Sequence, residues 1–477
     1  MSTQVDPTAP SGAHAEPLPS VWQAVKDSLR GKRADYTELP LKRAILLLAV
    51  PMALELVMES TFGLVDIFFV GRLGPQAIAT VGISGSLIIV IFAVAMGLSI
   101  GTTAMVSRRI GEGDDSGANV AATQAIFCGI AFSIPLGIGG WMLAPAMLRW
   151  MGGSADVVAG AEYTAVIFGG CATIFLLFLN NAIFRGAGDA AMAMRSLWLA
   201  NILNMILDPI LIFGLGPIPA MGLLGAGIAT VIGRGVGVLF QFWVLAFGDR
   251  RVQVKTDALR IDVAVARRLL RLSISGMLQF FVATASWLGI MRIVALFGDA
   301  TLAGYTIAMR LIHFTILPSW GMSNAAATLV GQNLGAKKPD RAEKAVWLTG
   351  RYNFFLLASE AAIYWIFAEP MIRVFTVEPL VIEAGVLSLR ISSAAYLFSA
   401  FTMVFSQAFN GAGDTDTPTK INVVCFWLLQ LPLAYYLARV VGWGLAGALS
   451  AIVISLAAWA LIGLIVFKKG GWKKVQV

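Results

Sequence analysis

The chain has 477 residues, 58% of them hydrophobic and 13% charged, and carries a net charge of +8. That composition lies outside the range of ordinary soluble domains and points to an integral membrane protein. The cysteines Cys128, Cys171 and Cys425 stand at no ligand-like spacing, which argues against a disulfide framework or a zinc site, and the basic excess is distributed by loop rather than as a nucleic-acid face.

Residues 1–40 read as a cytoplasmic, largely disordered N-terminal tail. The first 20 are polar and rich in Pro and Ala, and lack the apolar core of a cleavable signal peptide. VWQAVKDSLRGKR, from Val21, fits either a short basic amphipathic helix on the membrane surface or a solvated leader. Twelve apolar segments follow, each long enough to cross a hydrocarbon core of roughly 30 Å. The first six are expected at 43–70, 78–107, 118–145, 159–185, 192–214 and 222–247. The second six fall at 268–297, 300–331, 344–367, 382–409, 418–439 and 442–467. Of the 35 Lys and Arg residues, 26 lie in segments on the N-terminal side of the membrane, and only Arg72, Arg149, Arg373 and Arg439 lie in the opposite loops. By the positive-inside rule both termini are then cytoplasmic, in a multi-pass protein of the plasma (inner) membrane.

The first span, PMALELVMESTFGLVDIFFVG from Pro51, carries three carboxylates, Glu55, Glu59 and Asp66. At 100° per residue Glu59 lies about 40° and Asp66 about 20° around the helix from Glu55, so the three share one face. A mid-membrane acid costs about 2.5–3.5 kcal/mol on insertion scales, so that face should meet protein or water. It lines a central cavity or the interior of the first lobe, or its acids serve as ion-pair partners and interface anchors. Pro51 leaves the carbonyl of Leu47 unpaired, which suits a bend or simply the start of the helix. Met58 and Phe62 offer tolerant apolar contacts to a substrate, or packing.

The fifth span supplies a candidate partner. Asn204 and Asp208 are four residues apart on one face, and Pro209 cannot donate to the carbonyl of Met205, so a carboxylate, an amide oxygen and a free carbonyl come together as hard oxygen ligands. Asn204 would also serve as interhelical glue. In the eighth span Arg310 and His313 form a basic patch, counterions to the acidic face, or a structural pair.

The chain repeats itself. GLSIGTTAMVSRRIG from Gly97 matches GMSNAAATLVGQNLG 224 residues later, and FRGAGD from Phe184 matches FNGAGD at an offset of 225. Each copy spans the membrane six times, so the halves share one orientation, the arrangement of a transporter that rocks about a central site. The expected organisation is a 41–247 N-terminal lobe, a 248–267 cytoplasmic linker, a 268–467 C-terminal lobe and a basic 468–477 tail: an all-α membrane protein of twelve helices in two pseudo-symmetric lobes. GAGD reads as a glycine helix stop, and GLGPIPAMGLLGAG, from Gly214, lacks the ending of a P-loop. The repeat positions of Asp66, Asn204 and Asp208 are Ile290, Leu429 and Leu433, which makes the chemistry one-sided.

VDIFFVGRLG from Val65, RGAGD from Arg185 and NMILDPILIFG from Asn204 resemble the multidrug and toxic compound extrusion (MATE) transporters, over about residues 40–467. The resemblance implies export of cationic or amphipathic organic compounds in exchange for H⁺ or Na⁺. It matches Asp66, Asn204 and Asp208, and more weakly Thr230, to the N-lobe cation site of the DinF-like branch, and associates Pro51 with helix bending. Sodium is bound in the NorM-like branch by acids of the seventh and tenth helices; here no acid lies between Ser275 and Phe297, where Gln279 is the main uncharged polar candidate, or between Gly385 and Gly413. The reading is a cation-coupled antiporter, H⁺ before Na⁺, without enzymatic activity or cofactor, and expected to be a monomer. Its partners are small organic cations or amphipathic drugs and membrane lipids, and any metal is a sodium ion at Asp66, Asn204 and Asp208. The alternative is a flippase for a lipid-linked saccharide or another lipid-like substrate, whose cavity should be strongly cationic.

Overall fold

The computed structural model describes residues 21–31, 34–254 and 260–477; residues 1–20 of the tail expected to be disordered over 1–40, and part of the expected linker, lie outside them. Helix α1 (Val21–Arg30) is docked, since Arg43 pairs with Asp27 at 3.1 Å and Arg195 Nη2 donates to the carbonyl of Leu29 at 2.6 Å. The first half continues with α2 (Leu41–Gly71), α3 (Pro75–Glu112), α4 (Asp115–Trp150), the short α5 (Ala155–Ala159), α6 (Ala161–Gly169), α7 (Cys171–Gly186), α8 (Ala190–Phe213) and α9 (Gly222–Phe247). The second half holds α10 (Val263–Val294), α11 (Asp299–Thr315), α12 (Leu317–Gly335), α13 (Pro339–Arg373), α14 (Pro379–Ala394), α15 (Tyr396–Ala412), α16 (Asp416–Val440) and α17 (Gly444–Lys469). In α16 the stretches Val423–Gln430 and Tyr436–Val440 are wound as π-helix.

Nine of these helices are long and apolar enough to cross a membrane alone, and the pairs α6–α7, α11–α12 and α14–α15, bent by 44°, 43° and 50°, complete twelve spans. Two of the bends obey the repeat: Gly170 and Ala395, the residues at the breaks, are 225 apart. The third does not. Ile316 lies opposite Phe92 of the unbroken α3, and the cause is local, because Pro318 has no N–H for the carbonyl of Phe314. The GAGD turns stop one helix and start the next. Gly188 and Gly413 take φ of +87° and +85°, while Asp189 accepts from Met192 N and Asp414 from Thr417 N.

Across the halves α2 packs along α12, and α3 along α10 and α12. Close approach requires glycine here. A Cβ at Gly111 would stand 2.0 Å from the carbonyl oxygen of Gln332, one at Gly335 2.2 Å from that of Arg108, and one at Gly97 2.6 Å from Met277 N. The hydrogen bonds that join the halves among the described residues all lie toward the end that holds both termini. Gln332 Nε2 donates to Gly186 O at 2.9 Å, Thr328 Oγ1 to Arg185 O at 3.0 Å, and Arg108 Nη2 to Val475 O at 3.2 Å. Lys338 also pairs with Glu38 there. The basic end of the bundle is therefore closed by backbone-to-backbone packing. Substituting Gly111 by Ala should wedge it open: in a background without the native cysteines, the buried Ser107→Cys should react with a maleimide faster in the Gly111→Ala protein than beside Gly111, whereas equal rates would show that this contact does not hold the end shut.

Candidate functional site

The four acidic side chains of interest, three on α2 and one on α8, end in two different places. Glu55 and Glu59 face a cavity of about 390 Å³ between the halves. Its opposite wall is neutral and polar, with Gln279, Asn324, Gln407 and Asn410, and Phe178, Phe280, Trp320 and Phe426 add aromatic surface. Both acids are answered by cations from their own half. Glu55 Oε1 accepts from Arg185 Nη1 at 2.8 Å and from Asn181 Nδ2 at 2.9 Å, and its side chain is 4% exposed. Glu59 accepts from Arg234 Nη2 at 3.1 Å and Asn201 Nδ2 at 3.0 Å, yet stays 24% exposed, so it is the acid that water or a ligand reaches.

Farther along α2, Asp66 turns into the interior of the first half, toward α8 and α9. There Asn204 Nδ2 donates to Thr230 Oγ1 at 3.2 Å, and Thr230 donates in turn to the carbonyl of Ala226 at 3.0 Å. Gly233 makes this possible, because a Cβ there would stand 2.7 Å from Ala200 O and 3.0 Å from Asn204 Cβ. Asp66, Asp208 and Arg234 all lie within electrostatic range of the buried Tyr163, and Asp66 within range of both Asp208 and Arg234. Asp208 is 0% exposed and Asn204 2%. Even so, among the described residues both carboxylate oxygens of Asp208, Oδ1 of Asp66 and Oδ1 of Asn204 have no hydrogen-bond partner within 3.5 Å, although the Asn204 side chain stands close to Asp208. A buried carboxylate without donors is costly, and a proton or a small hard cation is what such oxygens lack. Among the described residues no three His, Cys, Asp or Glu side chains converge as a metal site, so an ion here would be held by two carboxylates and neutral oxygens.

Pro51 is buried inside α2, which begins at Leu41, and so does not sit at the start of the helix; Pro209 lies within α8. Met58 and Phe62 are not on the cavity wall. Phe62 instead lies under the guanidinium of Arg234, 5.6 Å from ring centroid to Cζ. Arg310 and His313 do not pair with the acids; both are exposed, and Arg310 lines a separate cavity of about 460 Å³ with Met291, Asp299 and Phe375. Sequence reading missed Asn181, Arg185, Asn201, Tyr163 and the pairing of Arg234. The signal was present in part: Arg234 is an isolated cation in an apolar span, and Asn180-Asn181 a polar pair in another.

The MatE family profile matches residues 51–210 and 275–436. A probable multidrug resistance protein NorM of Thermotoga maritima is 26% identical over 442 residues, covering 92% of this chain and 95% of its own. An FAD transporter of Shewanella oneidensis is 26% identical over 88% of this chain and 94% of its own. Among solved structures, a MATE protein in the bent conformation superposes with a TM-score of 0.85 at 26% identity, covering 95% of this chain and 98% of that one. An outward-facing multidrug resistance MATE family transporter gives the same TM-score and identity over 95% and 99% of the two chains.

If Arg185 neutralises Glu55, Arg185→Met alone should cost about 3–5 kcal/mol of stability to denaturant in detergent, because the carboxylate is left buried and charged. The double variant Glu55→Gln, Arg185→Met should recover most of that loss. Equal losses in the two would mean that the pair does not carry this charge.

Proposed function

This chain belongs to the MatE family of membrane transporters, and we propose that it is a cation-coupled antiporter, driven by H⁺ rather than Na⁺, that exports cationic or amphipathic organic compounds. The observation that carries the reading is the group of unpartnered buried oxygens on Asp66, Asp208 and Asn204, set apart from a cavity whose acids are already paired. We place the coupling cation at Asp66, Asn204 and Asp208, with Thr230 orienting the amide, and the organic substrate at Glu59 and the aromatic wall. Substrate class follows from that wall and from the names of relatives that are multidrug transporters. A flippase for lipid-linked pyrophosphates would need a strongly cationic cavity, and Arg185, the one cation on this wall among the described residues, is engaged by Glu55.

Arg234 links the two places. It is bonded to Glu59, lies within electrostatic range of Asp66, and stands over the ring faces of Phe62 and Phe92. With Asp66 and Asp208 ionised, Arg234 is shared between the inner pair and Glu59. When a proton neutralises the pair, Arg234 is free to neutralise Glu59 fully, and the cavity loses its hold on a cationic substrate. The basic end is taken as cytoplasmic, in the plasma membrane, which makes the closed end the inward gate and the state outward-facing. A driving force of 100 mV supplies about 2.3 kcal/mol per charge and one pH unit roughly 1.4 kcal/mol, together a limit of about 500-fold for one proton against a neutral substrate. A monovalent cation cancels the voltage part.

The test is uptake of a cationic dye by proteoliposomes under an imposed pH gradient without sodium. Wild type should transport, Asp208→Asn should fall to the protein-free leak, and Glu59→Gln should weaken dye binding while leaving proton uptake intact. Transport that needs a sodium gradient would overturn proton coupling, and an unaffected Asp208→Asn would overturn the site.

A further inference from the structure

The mechanism leaves one half-buried carboxylate unused, and it lies in the other lobe. Glu360 sits within the ninth span, on α13, with Oε2 buried and without a hydrogen-bond partner. Beside it is Thr315, the last residue of α11. Thr315 Oγ1 is 2.6 Å from the hydroxyl of Tyr364, one helical turn from Glu360 on the same face of α13, and 3.2 Å from that of Tyr396, the first residue of α15. The three hydroxyls thus join two bent spans. Thr315 ends the segment before the 43° bend of α11–α12, and Tyr396 opens the segment after the 50° bend of α14–α15.

The tyrosine protons have other acceptors. Tyr364 donates to the carbonyl of Leu311 at 3.0 Å and Tyr396 to that of Ile312 at 3.1 Å, both in the last turn of α11. Pro318 interrupts the helical ladder just beyond, so these hydroxyls pin the end of α11 where the backbone is weakest. An ionised Glu360 is an acceptor only and competes for the same hydroxyl protons; a protonated Glu360 brings a donor of its own and leaves the carbonyls capped. No ion pair within 4 Å compensates it among the described residues. The groups that face it are Thr315 from α11, Tyr364 from its own helix and Tyr396 from α15; Arg310 and His313 of α11 stand exposed, and Arg390 of α14 pairs with no carboxylate among the described residues. The repeat gives the first lobe nothing equivalent, since Thr315 corresponds to Ile91 at an offset of 224 and Tyr396 to Cys171 at 225.

We propose that Glu360, Thr315, Tyr364 and Tyr396 form a second proton-binding site, in the C-terminal lobe, and that the proton on Glu360 sets the bends at Thr315 and Tyr396. A water proton is taken up by the carboxylate, the tyrosine hydroxyls return to the carbonyls of Leu311 and Ile312, and α11 stiffens against α13. The site goes beyond the proposed N-lobe coupling and stands whether or not that reading holds.

To test it, Asp66→Asn and Asp208→Asn remove the N-lobe acids, and spin labels at Ala303→Cys on α11 and Ile78→Cys on α3 report the width of the far end. In that background, lowering the pH should still load one proton, seen as a protonated-carboxyl infrared band, and should shift the label distance. Adding Glu360→Gln should abolish both and hold the distance at its low-pH value. Thr315→Val should move the midpoint of the transition and keep its amplitude, which guards against a folding defect in the Glu360 variant. Unchanged proton loading and distance shift after Glu360→Gln would overturn the proposal. Transport is not the readout, so failure here and failure of the N-lobe mechanism remain distinct.

Discussion

A charge inside a hydrocarbon layer must be paired, wetted or neutralised, and the arrangement of this molecule follows from how each acid meets that demand. Glu55 and Glu59 are paired, by Arg185 and Arg234. Asp66 and Asp208 are held near each other, with Oδ1 of Asp66 and both oxygens of Asp208 left without donors. An unsatisfied buried pair of carboxylates is a poor way to stabilise a fold and a good way to require a cation. That difference is what separates the proposed coupling site from the proposed substrate wall.

The helices that carry these groups are also those that meet across the halves. All three first-span acids ride on α2, and α2 lies along α12, where a Cβ at Gly321 would stand 2.4 Å from Ala53 N. A contact so close does not flex continuously, so a shift of α2 forces repacking at the interface. The basic end, closed through Gly111, Gly331 and Gly335, is where that repacking would have to open a path. Neutralising a carboxylate is a local event, and the glycine contacts are the bistable element through which the proposed cycle would express it.

Much of the architecture was written in run lengths. Twelve apolar stretches predict twelve spans, and the first-half prediction 222–247 coincides with α9, because hydrophobic length is set by the bilayer and read without tertiary context. The bends were not legible at Gly170 and Ala395, where no proline marks them; only Pro318 announces one. Site residues divide the same way. Asn204 and Asp208 declare themselves by their four-residue spacing, whereas the partner of Glu55 is 130 residues away in Arg185, at the very end of the fourth expected span. Glu360 escaped because acids of the second half were sought in the seventh and tenth spans, and this one is in the ninth, facing hydroxyls contributed by three separate helices.

Linkage offers the most direct measurement of the central claim, because a substrate and a proton that exclude each other must each weaken the other's binding by the same factor. Calorimetric titration of the detergent-solubilised protein with a lipophilic cation, repeated in buffers of different ionisation enthalpy, counts the protons released on binding. Wild type is expected to release protons, and a protein carrying Asp66→Asn and Asp208→Asn to bind the cation with no release. Identical proton release in the two would contradict a coupling site at Asp66 and Asp208.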